Sequence, residues 1–109
     1  MKGTALFPGS FDPFTLGHKF VVDQGLELFD RIVIAIGVNS EKAGLLTPDN
    51  RARLIRDLYR GEPRIEVRIY TELTGQLCRQ LGVKTILRGL RNTVDFEYIV
   101  FHCVIQNIQ

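Results

Sequence analysis

Cysteine is scarce in this chain. Its 109 residues include two, Cys78 and Cys103, far apart and outside any C-x-x-C pair or cluster of histidines. That spacing indicates neither a zinc site nor a redox pair and leaves packing as their expected role. Long apolar runs are missing from the start of the chain, where MKGTALFPGS holds one lysine and a few apolar residues before Pro8. Such a run is too short for a signal peptide, so a soluble, cytoplasmic protein without a membrane segment is expected. Internal repeats, low-complexity tracts and linkers are also absent.

Charge of either sign is not in excess. Fourteen Lys and Arg against twelve Asp and Glu leave +2, too little to steer nucleic acid, and no nucleic-acid partner is expected. The densest basic run, Arg51, Arg53, Arg56, Arg60 and Arg64, is interleaved with Asp49, Asp57 and Glu62 and reads as solvated surface. What remains is an ordinary globular mixture, 45% hydrophobic and 24% charged, in a length that suits one domain.

Short apolar runs bounded by turn residues predict strands over Thr4 to Phe7, Ile32 to Gly37, Ile65 to Ile69 and Thr85 to Leu87. Helical patterns separate them over Gly17 to Phe29, Thr47 to Tyr59 and Leu73 to Leu81. Thr47-Pro48 suits a helix start, and Gly82 suits a C-cap. The alternation predicts an α/β fold, a Rossmann-like parallel sheet with right-handed crossovers and helices on both faces. The second strand is apolar almost throughout, as a strand covered on both sides should be. From Thr93 a helix begins as VDFEY, yet the β-branched IVFHCVIQNIQ that follows suits a strand equally well.

In such sheets ligands bind beyond the carboxyl ends of the strands, where strand order reverses, so the turns after the first and fourth strands should be neighbours. The first of these turns is FPGSFDPFTLGH, Phe7 to His18. A strand feeding a Gly-containing loop into a helix start offers unpaired backbone amides and the positive end of a helix dipole to an anion. Gly9 and Gly17 keep side chains away, Ser10 brings a hydroxyl, Asp12-Pro13 shapes the turn, and His18 can donate to charge developing on a phosphoryl oxygen. No Ser/His/Asp or Cys/His nucleophilic set and no carboxylate pair for a fixed metal are evident.

FPGSFDPFTLGH resembles the signature of nucleotidyltransferases with an (H/T)xGH motif, here Thr15-Leu16-Gly17-His18, and most resembles the bacterial phosphopantetheine adenylyltransferase family. A second stretch, ILRGLRNTVDFEY from Ile86 to Tyr98, is similar to that family's RGLR…DFEY segment at matching spacing. The resemblance implies transfer of the adenylyl group of ATP to 4′-phosphopantetheine, giving dephospho-coenzyme A and pyrophosphate in coenzyme A synthesis. It implies Ser10 and Phe11 as the ATP-contacting pair, with Ser10 touching both substrates, and His18 as the residue that stabilises the transition state. Lys42, which alone reads as a solvated loop lysine, becomes a contact to the acceptor phosphate and the α-phosphate. Arg88 and Thr74 would bind phosphopantetheine, and Gly89, Leu90 and Arg91 would form an ATP-binding turn. Mg²⁺ would bridge the nucleotide's phosphates and water without a protein cage. Assembly as a hexamer is implied too.

The likeness stops at Tyr98. The family has a Glu next, where this chain has Ile99, and it continues past position 109 through a fifth strand and a Ser-rich turn. A sheet truncated after about the fourth strand is therefore expected, with residues 99–109 departing from the family, as a shifted reading frame or an early stop would produce. As written, the chain is expected to show weak or absent transfer. Two other readings stand beside this one: a catalytically impaired nucleotide-binding or assembly module, and another adenylyl- or cytidylyltransferase of the same superfamily.

Overall fold

The chain's alternating apolar runs build one five-stranded sheet in the computed structural model, which describes residues 3–38, 44–91 and 96–102. In chain order the elements are β1 (Thr4–Gly9), α1 (Leu16–Leu28), β2 (Arg31–Gly37), α2 (Pro48–Leu58), β3 (Ile65–Tyr70), α3 (Thr74–Leu81), β4 (Thr85–Arg91) and β5 (Phe96–His102). The sheet order is β3-β2-β1-β4-β5. Its first four strands run parallel, as expected, and β5 pairs antiparallel with β4.

Two-residue alternation along the central strands fills a core on each face of the sheet. Ala5 and Phe7 of β1, with Ile32, Ile34 and Ile36 of β2, pack with Val21 and Val22 of α1 and Ala52 and Ile55 of α2. On the other face Leu6, Val33 and Ala35 meet Leu77 and Cys78 of α3. Cys78 thus takes the packing role expected of it, while Cys103 lies outside the described residues. Among the described residues no helix is long and apolar enough to cross a membrane.

The helix boundaries follow local chemistry. Thr47 caps α2 through its hydroxyl, which accepts from the Asn50 amide at 3.1 Å, and Pro48 stands at the first helical position. Gly82 ends α3 in the left-handed conformation, φ 68°.

Strand lengths depart further from expectation. β1 continues through Pro8 and Gly9 because β2 goes on pairing with it, up to Gly9 opposite Ile36. Its pairing to β4 stops at Leu6 opposite Ile86, so Pro8 has a strand on one side only, where a missing amide is tolerated. β4 runs to Arg91, four residues past the predicted Leu87, because β5 supplies a ladder along its whole length, from Thr85 opposite His102 to Arg91 opposite Phe96. The segment that could have been helix or strand is therefore strand from Phe96. A distant partner decides this, and no local pattern announces it.

α2 also turns an unexpected side to the core. Arg51, Ala52 and Ile55 are its buried residues, so Arg51 is not part of the solvated surface assigned to it. Its neighbours do lie at the surface, where Arg53 donates to Asn50 at 2.9 Å and Arg60 pairs with Asp57 at 2.8 Å. Tyr59, one turn after Ile55, packs its ring edge-on to Phe14, and its buried hydroxyl has no hydrogen-bond partner among the described residues. Burial, and secondarily the Asp23 charge, hold the phenol well above the usual tyrosine range, so it stays neutral. Removing an unsatisfied hydroxyl should cost nothing: Tyr59→Phe is expected to leave unfolding free energy unchanged or raise it by about 1 kcal/mol in urea denaturation. A loss of that size would mean the hydroxyl is bonded.

Candidate active site

β1 and β4 are neighbours in the sheet but part after Leu6, and the crevice at the switch point opens there. The loop leaving β1 enters it. Ser10 is exposed, and Phe11 follows with φ 52°, a left-handed backbone that costs a non-glycine residue about 1–2 kcal/mol. Burial of the Phe11 ring offsets this. The ring meets those of Phe7 at 5.1 Å, Phe14 at 5.5 Å and His18 at 5.0 Å. A Cβ on Gly9 would come within 2.9 Å of the Phe11 ring, so that glycine is needed for the ring's seat and not solely for an approaching phosphate. Any nucleotide contact from Phe11 must come from its backbone.

α1 opens with Thr15 as N-cap. Its amide donates to His18 Nδ1 at 2.9 Å, and its hydroxyl accepts from the His18 amide at 3.4 Å, a capping box with histidine where glutamate or glutamine is usual. The Thr15 hydroxyl also lies 3.1 Å from Nδ1. Because Nδ1 accepts, the neutral ring carries its proton on Nε2, and His18 is a donor there. Phe7, Phe11 and Phe14 surround the ring edge-on or tilted and fix its plane. No acidic residue sits in the first turn of α1, so nothing there neutralises the positive end of its dipole.

On the other side of Ser10 a cleft of about 330 Å³ lies over the carboxyl ends of β2 and β3. Gly37, Val38, Tyr70, Glu72, Leu73 and Thr74 line it with Ser10. The Tyr70 and Thr74 hydroxyls share a hydrogen bond of 2.9 Å, which fixes Thr74 at the first position of α3. Ser10 and Thr74 are thus brought to one cavity, of a size that suits an extended small molecule.

Arg88 to Arg91 do not form a turn. They are strand residues of β4, with β5 opposite them, and Arg88 is exposed two residues beyond the last β1 pair. Gly89 is small for packing: a Cβ there would come within 2.8 Å of Val21 on α1. Its expected place in a ligand-binding turn gave no sign of this close helix contact. Gly89, Leu90 and Arg91 keep their place on the strand that borders the crevice. Lys42 lies outside the described residues.

Four residues were not anticipated in their roles. Thr15 was legible as the start of a T-x-x-H capping box. Arg51 stands in register with Ile55 and Tyr59, a spacing of four that places it on the buried stripe of α2. Tyr70 carried no local signal. Asp12, expected to shape its own turn, reaches instead to a second loop, accepting from the Leu45 amide at 2.7 Å and the Leu46 amide at 2.9 Å. Both its oxygens are therefore engaged. Among the described residues no three His, Cys, Asp or Glu side chains gather around a point where a metal could sit.

The chain matches the family described as Cytidylyltransferase-like over residues 6–108. It is 50% identical to a phosphopantetheine adenylyltransferase of Flavobacterium psychrophilum, over 86% of this chain and 62% of that protein. It is 45% identical to one of Porphyromonas gingivalis, over 89% of this chain and 63% of the relative. A third, from Anaeromyxobacter sp. strain K, is 44% identical over 90% of this chain and 60% of its own length. The chain thus spans about three fifths of the curated relatives it matches. With the match running from β1 through β5 and covering the loop, the cap and the crevice described above, this chain belongs to the Cytidylyltransferase-like family.

Proposed function

We propose that this site transfers the adenylyl group of ATP to 4′-phosphopantetheine, giving dephospho-coenzyme A and pyrophosphate. The observation that carries the reading is the Thr15 cap on His18, which presents an Nε2 donor beside an amide-rich loop at a helix start. The names of the relatives supply the substrates. An acceptor phosphate oxygen attacks the α-phosphorus in line, the new P–O bond forms as the bond to the β-phosphate oxygen breaks, and pyrophosphate leaves. No protein nucleophile is required, so the chain contributes position and charge stabilisation.

Each residue then has a physical task. Nε2 of His18 donates to an α-phosphate oxygen, where one oriented donor is typically worth about 3–4 kcal/mol of barrier. Ser10 stands between the nucleotide loop and the cleft, and can touch both substrates. The cleft holds the pantetheine arm, with Thr74 as a polar contact and Leu73 as an apolar wall. Arg88 binds the acceptor with a planar guanidinium that suits phosphate oxygens, Lys42 contacts the reacting phosphates, and Gly89 to Arg91 border the ATP. Mg²⁺, held by ATP's phosphates, would neutralise their charge. A cytoplasmic, hexameric enzyme completes the reading carried from the family resemblance.

Histidine's two tasks can be separated. Glu at position 18 can still accept from the Thr15 amide but has no donor when ionised, so His18→Glu should keep unfolding free energy within about 0.5 kcal/mol, whereas His18→Ala should lose about 1 kcal/mol. Both should lower pyrophosphate release from ATP and 4′-phosphopantetheine by about 100- to 1,000-fold. The full chain is expected to release pyrophosphate with ATP, more slowly than a full-length relative. Release that survives His18→Ala, release with CTP in place of ATP, or calorimetry in which neither ligand binds would contradict the assignment.

The cleft has its own test. Thr74→Val removes a hydroxyl while keeping shape and should weaken 4′-phosphopantetheine binding about fivefold in calorimetry. ATP binding should not change. An equal effect on both ligands would remove the pantetheine arm from this cleft.

A further inference from the structure

Arg51 and Asp12 join the β1–α1 loop to residues 44–46. Arg51 is buried at the start of α2, and its planar fork reaches two segments at once. Nη1 donates to the Ser10 carbonyl at 2.9 Å and Nε to the Leu46 carbonyl at 3.0 Å. Asp12, two residues after Ser10, takes the Leu45 and Leu46 amides on its two oxygens. Leu46 is thus held at both its amide and its carbonyl. Gly44 fits against this knot because it lacks a side chain, since a Cβ there would run into the Asp12 carboxylate and come within 3.3 Å of Arg51.

Peptide geometry turns the knot into an aiming device. In a trans peptide the C=O and N–H point in opposite directions. Fixing the Ser10 carbonyl on Arg51 therefore directs the Phe11 amide away from α2, at the one loop residue whose φ of 52° needs outside support. We propose that Arg51 and Asp12 are positioning residues for adenylyl transfer, a latch between the β1–α1 loop and residues 44–46 that aims the Phe11 amide at a phosphate of the bound nucleotide. This rests on the adenylyltransferase reading given above. Nothing in it requires either side chain to touch a substrate.

Calorimetry on the full chain tests it, with ATP, adenosine and 4′-phosphopantetheine as separate ligands and Arg51→Met, Arg51→Lys and Asp12→Asn as variants. If the amide is aimed at a phosphate, Arg51→Met should weaken ATP about tenfold and adenosine by less than about twofold. Lysine cannot serve two carbonyls with one planar fork, so Arg51→Lys should recover part of the loss, and Asp12→Asn should fall between wild type and Arg51→Met. A merely structural role would weaken ATP and adenosine together, and that outcome overturns the proposal. Unchanged ATP affinity in a folded Arg51→Lys and a folded Asp12→Asn overturns it as well, even if Arg51→Met fails to fold. A wild-type chain that binds 4′-phosphopantetheine but not ATP retains only a half-site, and that overturns ATP-dependent transfer together with the latch. One that binds neither overturns the adenylyltransferase reading, and the latch with it.

Discussion

A single hydrogen bond, from the Thr15 amide to His18 Nδ1, links the fold of this chain to its chemistry. It closes the first turn of α1 by satisfying an amide outside the helix, and it makes one ring nitrogen an acceptor. The other must then carry the proton. An interaction that is ordinary helix capping therefore determines which ring nitrogen of the neutral histidine carries the proton. The three phenylalanines around the ring add orientation to this choice of tautomer.

The cap works because the sheet delivers it to the right place. β1 is bound by β2 along its length but leaves β4 after Leu6, so the loop that follows β1 emerges at an opening. Ser10 and Phe11 sit in that loop, and its left-handed bend at Phe11 is held from three directions: the buried ring, the space at Gly9 and the carbonyl bond to Arg51. β2 and β3 end beside it in the cleft that contains Thr74. A helix start and a cleft over the strand ends thus share Ser10 as their common border.

Much of this was legible from residues alone. The parallel sheet followed from apolar runs separated by helical patterns, and Gly82 and Thr47 announced their caps. His18 and Ser10 could be placed at the loop and helix start because their signals are local, a strand, a glycine loop and a helix start within a dozen residues. Arg88 to Arg91 were harder, since their membership of β4 depends on β5, a partner set by pairing and not by propensity. Arg51 and Asp12 failed for a similar reason. A charged residue reads as solvated unless its partners are known, and theirs are backbone groups in another loop, up to 41 residues away.

The protonation state of His18 is the most direct measure of the account. A long-range ¹H–¹⁵N correlation spectrum of the ¹⁵N-labelled chain at neutral pH reports which ring nitrogen holds the proton. Nδ1 should resonate as an unprotonated, pyridine-type nitrogen and Nε2 as a protonated, pyrrole-type one. A proton on Nδ1 would mean that the Thr15 amide does not bond there, and the claim that helix capping sets the catalytic donor would be wrong.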